Sequence, residues 1–306
     1  PAWGGPAPDR MSVRVKCLLV ALLCLAAVGA AAQNVPVPPF ASKPDLARLD
    51  YDLKPRQIAP GTWVIEGEVA DFSRANGCNI INTGWIETPQ GLLVINTGPS
   101  RRYGQQQRAA IERLSQRPVL QVLNLNLHPD YFLGNQAWQD RPIGALGGSI
   151  AGMRAEGKAY EDNLFRLCGD WMQGTEHQPA TGVIEPGFWP AGSRRLELLR
   201  LDGHTADDLV LIDHDQGVVF AGGLVFADRV PTTPHANLAR WLASLDVLAG
   251  DAEFLGQAPG DVPGHRQLAE LLAGAQRELQ QAGQIADELL AGPLGIGRVL
   301  ARIDQH

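Results

Sequence analysis

The stretch Leu123-Asn124-Leu125-Asn126-Leu127-His128 alternates apolar and polar side chains with period two and then runs into Pro129-Asp130. Such alternation predicts a half-buried strand, with Leu123, Leu125 and Leu127 on a core face and Asn124, Asn126 and His128 on the other. Pro129 has no amide donor and stops the strand, so His128 and Asp130 are expected where a strand breaks into a loop, a common place for functional groups. A fold for this chain must bury the leucine face and leave the other face room for chemistry.

The flanking pattern supplies the scaffold. Short β-rich runs over 61–68, 79–87 and 92–95, separated by turn residues such as Pro89-Gln90-Gly91, predict a meander with hairpins. A helix is expected over 100–115, capped by Ser100 and ended before Pro118. Beyond Gly134 the pattern predicts a strand over 142–146 and a long helix over 149–172. Strands are expected over 182–184, 194–201, 209–213 and 218–224, and helices over 237–248 and 267–281, the last stopped by Gly283. Residues 33–60, with six prolines, read as an irregular leader, and 61–306 as one domain. This order suggests an α/β protein in which two sheets pack face to face with helices outside.

Residues 11–32 read as a secretory signal: Arg14 and Lys16, an apolar run over 17–28, then Gly29-Ala30-Ala31-Ala32. The run is too short to span a bilayer comfortably, so cleavage after Ala32 is expected, with no membrane anchor afterwards and a periplasmic or secreted location. Residues 1–10 read as translated upstream sequence or an expression remnant. Removing 1–32 takes away three positive charges and one negative, moving the formal charge from -7 to -9, which argues against nucleic acid or anionic membrane as partner. Of the four cysteines, Cys17 and Cys24 leave with the signal. Cys78 and Cys168 either form one disulfide or remain as two buried thiols, and neither belongs to a Cys-x-x-Cys pair.

The run Asn126, His128, Asp130, Tyr131, followed by Gly134, resembles the H-x-H-x-D-H-x-x-G motif of the metallo-β-lactamase fold superfamily, with Asn126 and Tyr131 replacing two histidines. Gly203-His204-Thr205-Ala206-Asp207-Asp208 resembles its G-H-T-x-x-D segment, and Pro263-Gly264-His265 its P-G-H motif. In Val219-Phe220-Ala221-Gly222-Gly223, Gly223 stands where the family has a bridging aspartate, and Asn96 replaces the acid of its D-x-G turn. The resemblance implies an αβ/βα four-layer sandwich. It also implies one zinc, rather than two, held by three or four of Asn126, His128, Asp130, His204 and His265.

Zinc with an open position lowers the pKa of bound water from about 15.7 to about 7. Asp130 would orient or deprotonate that water and Tyr131 would donate to the developing anion, making a hydrolase of ester, lactam or related bonds in a small-molecule substrate. The export signal, the helical stretch through Arg166 to Thr175 and the run Asp228-Arg229-Val230-Pro231 are similar to the periplasmic quinoprotein relay system zinc metallohydrolases. That similarity implies a link to a quinoprotein dehydrogenase system and alcohol oxidation. The alternative is a metal-poor, non-catalytic homologue acting as a periplasmic binding or accessory protein, to which the four replacements point. A true β-lactamase would need a ligand set that this chain does not match in full. Asp207 and Asp208 read as turn and capping carboxylates, and His177, His214 and His235 as solvated loop residues.

Overall fold

The computed structural model describes residues 42–226 and 234–256. The segment 11–32, Asp228, His265 and the helix expected over 267–281 lie outside the described residues.

Seven strands form the first sheet in the order β1 (Arg56–Ala59), β2 (Thr62–Ile65), β3 (Thr83–Glu87), β4 (Leu92–Ile95), β5 (Val119–Leu123), β6 (Ile143–Ala145) and β7 (Gly182–Val183). Pairing is antiparallel from β1 to β4 and parallel from β4 to β7. The change at β4 is where helix α1 (Arg101–Leu114) supplies the crossover that a parallel pair needs. Ser100 caps α1 by accepting from the Tyr103 amide at 3.0 Å, as its sequence predicts. The second sheet is antiparallel, in the order β11 (Val218–Phe220), β10 (Asp208–Asp213), β9 (Arg194–Leu201), β8 (Gly187–Ala191). The long helix α3 (Gly147–Cys168) and the helix α4 (Leu238–Gly256) complete the frame.

The layers follow from the two-residue period of central strands buried on both faces. In β4, Leu92 and Val94 join a cluster with Tyr103 and Ile111 of α1 and Met153 and Leu164 of α3. Its neighbours Leu93 and Ile95 point the other way, meeting Leu196, Leu198, Leu209 and Leu211 of the second sheet. In β10, Val210 and Ile212 turn outward to Trp241, Leu245 and Leu248 of α4. Helices, sheet, sheet and helix therefore stack in the αβ/βα order expected. Burying these three clusters removes apolar surface worth roughly 25 cal/mol per Å².

Two expectations need correction, and one strand had none. The strand expected through His128 ends at Leu123, because β4 ends at Ile95 and Asn96 turns left-handed at φ 55. The Asn96 carboxamide then takes the Leu125 amide in place of a backbone partner (3.0 Å). Alternation fails with it: Leu123 and Leu125 pack between the sheets, Leu127 packs on the helical side, and Asn124 is buried. The stretch read as an irregular leader contains β1, and its Tyr51 is fully buried, bonding to the Gly77 carbonyl at 2.9 Å. β8 carries no expectation at all, its run Gly187-Phe188-Trp189-Pro190-Ala191 holding a proline that pairs only at a sheet edge.

Cys78 and Cys168 form a disulfide, with Cα atoms 6.0 Å apart and a sequence separation of 90. It ties the turn before β3 to the end of α3. Replacing both cysteines with serine is expected to cost about 2–4 kcal/mol, measured as the loss in a denaturant titration that added reductant reproduces in the unaltered chain.

Candidate functional site

The site forms where the first sheet's β4 and β5 and the second sheet's β10 present loops to one another. Leu209, entering β10, donates its amide to the Leu125 carbonyl at 2.7 Å and joins the two sheets at the motif. Pro129 opens a short helix, α2 (Pro129–Phe132), with His128 as its N-cap in extended conformation. The proline thus starts a helix as well as ending extended chain. After β9, Gly203 turns at φ 132 with its Cα against the Trp241 backbone, where a Cβ would lie 2.2 Å from the Trp241 Cα. That close approach directs His204 inward.

His128 and His204 are both buried, and their rings meet edge to face with centroids 4.6 Å apart. Each has one nitrogen committed. His204 Nδ1 lies 3.3 Å from Asp208 Oδ1, and Asp208 also accepts from the Thr205 amide (2.8 Å) and hydroxyl (3.0 Å). His128 Nε2 lies 2.9 Å from His235 Nδ1, and His235 Nε2 lies 3.1 Å from Glu156 Oε2, which also accepts from the Tyr160 hydroxyl at 2.7 Å. A carboxylate can only accept, which fixes the tautomers along both chains. With neutral rings, His235 donates to Glu156 and accepts from His128, leaving His128 Nδ1 with a lone pair. His204 donates to Asp208, leaving its Nε2 with one. Burial, followed by the neighbouring rings of His204 and His235, holds His128 well below the usual imidazole range. Burial above all, then the bond to Glu156, raises the Tyr160 phenol above its usual range.

His235 was expected to be a solvated loop residue, and the structure places it against His128. It sits in Thr233-Pro234-His235-Ala236, where no periodicity or motif marks it. His177 and His214 are also partnered, by Glu161 and Glu197. The expected capping role of Asp207 is met across the fold: it accepts from the Gly148 amide at 2.6 Å in the first turn of α3, whose own N-cap, Leu146, offers no side-chain bond.

The other expected site residues divide. Asn126 Oδ1 accepts from the His128 amide at 3.0 Å, while its Nδ2 is buried without a partner among the described residues. Asp130 is 5% exposed and lies close enough to Tyr160 to act on its charge. Tyr131 is 5% exposed among the intersheet leucines, and its carbonyl takes the Asn124 side chain at 3.0 Å. Asn96 accepts from the Leu125 amide at 3.0 Å and, unlike an aspartate, also donates, to the Asn82 carbonyl at 3.4 Å. Beneath the motif, Asn124 and Asn135 exchange amide bonds of 3.1 and 2.9 Å. Asn135→Leu leaves the buried carboxamide oxygen of Asn124 without its donor and is expected to cost about 1–3 kcal/mol, read from the midpoint of urea unfolding.

Zinc requires three or four donors in this kind of site. The facing pair supplies two imidazoles, Asn126 has its oxygen engaged and presents an amide donor, and Gly223 offers nothing. Among the described residues no group of three or more His, Cys, Asp or Glu side chains is disposed to hold a metal. Nor is there room at 223 for the missing carboxylate, since a Cβ there would lie 2.1 Å from both Cε1 and Nδ1 of His204. The described donors alone do not complete the zinc site that the sequence led us to expect; His265, one of its candidate ligands, lies outside the described residues.

A family profile described as the metallo-beta-lactamase superfamily matches residues 76–257. Among solved structures, a metallo-beta-lactamase from Pontibacter korlensis superposes with a TM-score of 0.56 at 19% identity, covering 74% of this chain and 99% of that one. The DIM-1 metallo-beta-lactamase exposed to ceftazidime gives a TM-score of 0.55 at 15% identity, over 75% and 97%. A linear primary-alkylsulfatase from Pseudomonas sp. is 24% identical over 229 residues, or 61% of this chain, and the chain spans 43% of that relative's length.

Proposed function

We infer a hydrolytic role from the premise that this chain belongs to the metallo-β-lactamase superfamily, most of whose members are hydrolases. The reading is a hydrolase of ester-type bonds, and the alkylsulfatase likeness brings sulfate esters within the class. One observation carries it: two imidazoles, from loops of opposite sheets, face each other at 4.6 Å with their outer nitrogens tied into carboxylate-anchored chains. A water bound at His128 Nδ1 would give up its proton there as its oxygen attacks the acyl carbon or sulfur of the ester, the bond to the alcohol oxygen would break, and His128 would return the proton to that leaving oxygen. His235 and Glu156 hold the ring in the tautomer that accepts it. Tyr131 would donate to the developing anion.

Zinc, typical of the superfamily, is left out of this step because the described donors alone do not complete a site for it. Chelator treatment is therefore expected to leave turnover unchanged, and a loss that zinc restores would return the metal to the site. His128→Ala and His204→Ala are each expected to lower kcat/KM on an ester substrate by about 10²–10⁴-fold. Full activity in either variant would remove the reading.

The packing of Gly223 against His204 favours a second reading, a binding or accessory protein without turnover. Ligand binding with no hydrolysis by the unaltered chain would establish it. We further propose that residues 11–32 export the chain and that it serves a periplasmic quinoprotein system, as its sequence resemblance implies. Among the described residues no helix is long and apolar enough to cross a membrane. Fractionation of expressing cells tests the export, and loss of quinoprotein-dependent alcohol oxidation on deletion tests the link.

A further inference from the structure

A cleft of about 410 Å³ opens at the motif, walled by β2, the segments 67–69 and 80–82, β11 and residues 225–226; neither His128 nor His204 lines it, but Phe226 does, its ring centroid 5.7 Å from that of His204. Its floor is the motif itself: Asn96, Leu125, Tyr131 and Gly222 all line it. The walls are mostly branched aliphatic, among them Ile58, Val64, Ile81, Val219 and Val225. Two of these wall residues are left open to solvent, Ile58 at 38% and Val69 at 62%. Large apolar side chains exposed on the rim of an apolar cleft mark a binding surface more often than a bare fold requirement.

The polar groups in this lining are spent or unsuitable for an anion. Asn82 Oδ1 takes the Gly67 amide at 3.1 Å, and Asn96 is bonded to Leu125 and Asn82. Glu68 is the one charged side chain among the described lining residues, which include no cation to hold a headgroup. The cleft can therefore take an uncharged apolar group whose polar end reaches Tyr131.

We propose that this cleft binds the aliphatic chain of the substrate, and that chain length there sets specificity. The proposal rests on the hydrolase reading for the word substrate, but the binding itself does not. Burying one more methylene is worth about fourfold in affinity.

The test uses the full chain and two series of probes kept below their solubility limits. Straight-chain primary alcohols from butanol to decanol, followed by calorimetry, are expected to tighten about fourfold per added methylene until the cleft is filled. Val69→Asp puts a carboxylate on the exposed rim, where folding is least at risk, and is expected to flatten that dependence and weaken octanol at least tenfold. Affinity independent of chain length, no binding, or an unchanged series in Val69→Asp would overturn the proposal. A cleft covered by the chain's own remaining residues would give the no-binding result. Separately, p-nitrophenyl esters of increasing acyl length report turnover. Alcohols that bind by length with no ester hydrolysed sustain the cleft and sink the hydrolase reading, whereas hydrolysis indifferent to acyl length does the reverse.

Discussion

Gly223→Asp, the change that puts back the family's acidic ligand, is expected to destabilise the protein by about 3–5 kcal/mol and to recruit no metal. The new Cβ alone would stand 2.1 Å from the His204 ring. That ring has nowhere to retreat. Trp241 lies at 5.2 Å between ring centroids, Phe226 at 5.7 Å and His128 at 4.6 Å, and Asp208 holds Nδ1. Overpacking of this kind costs about 1–3 kcal/mol, and Gly223→Ala measures that part by itself. The carboxylate adds the cost of a charge placed among buried aromatic rings, next to Asp208. Urea titrations of both variants, with elemental analysis of the aspartate form, check the account. A Gly223→Asp protein of undiminished stability that gains a metal would show that the site had merely lost a ligand.

The same residue shows what kind of information the sequence held. That a carboxylate was missing at 223 is legible by comparing Ala221-Gly222-Gly223 with the family pattern. That its space is already taken is not legible, because the ring that takes it comes from a loop 19 residues earlier in the chain. The elements read well were those whose signals are local. α1 has its cap in Ser100, and β4 and β9 have the expected bounds because turn residues flank each. The motif strand was misread because its end is set by Asn96, 29 residues away from the amide it captures. His235 gave no signal since its importance is one hydrogen bond across 107 residues. Local chemistry was written in the chain, while the histidine chain and the disulfide, left open between two alternatives, needed tertiary proximity.

Arg194→Ala is expected to cost about 3–5 kcal/mol, because it leaves a buried carboxylate without its partner. Asp213 is fully buried and ends β10, and Arg194 opens β9 beside it. The guanidinium bonds Asp213 through Nε at 3.0 Å and also through Nη2, and it reaches across to the first sheet, donating to the Glu87 carbonyl at 2.7 Å and to Thr62 Oγ1 at 2.5 Å. One side chain thus clamps β2 and β3 to β9 and β10. The opposite end of β10 is clamped at the motif, by Leu209 on Leu125. Four residue steps along the strand separate the clamps, about 14 Å at 3.4 Å per residue.

His128 follows the first sheet and His204 belongs to the second, so their 4.6 Å spacing depends on the angle at which the sheets meet. Arg194→Ala should therefore reduce site function beyond its share of unfolded protein. Arg194→Met with Asp213→Leu removes both charges and is expected to recover most of the stability, since an apolar pair of similar volume often equals a buried ion pair. Denaturant titrations of the singles and the double give the coupling between the two residues. A single variant losing less than about 1 kcal/mol, the range of an exposed pair, would mean that the sheets are held by their leucines alone.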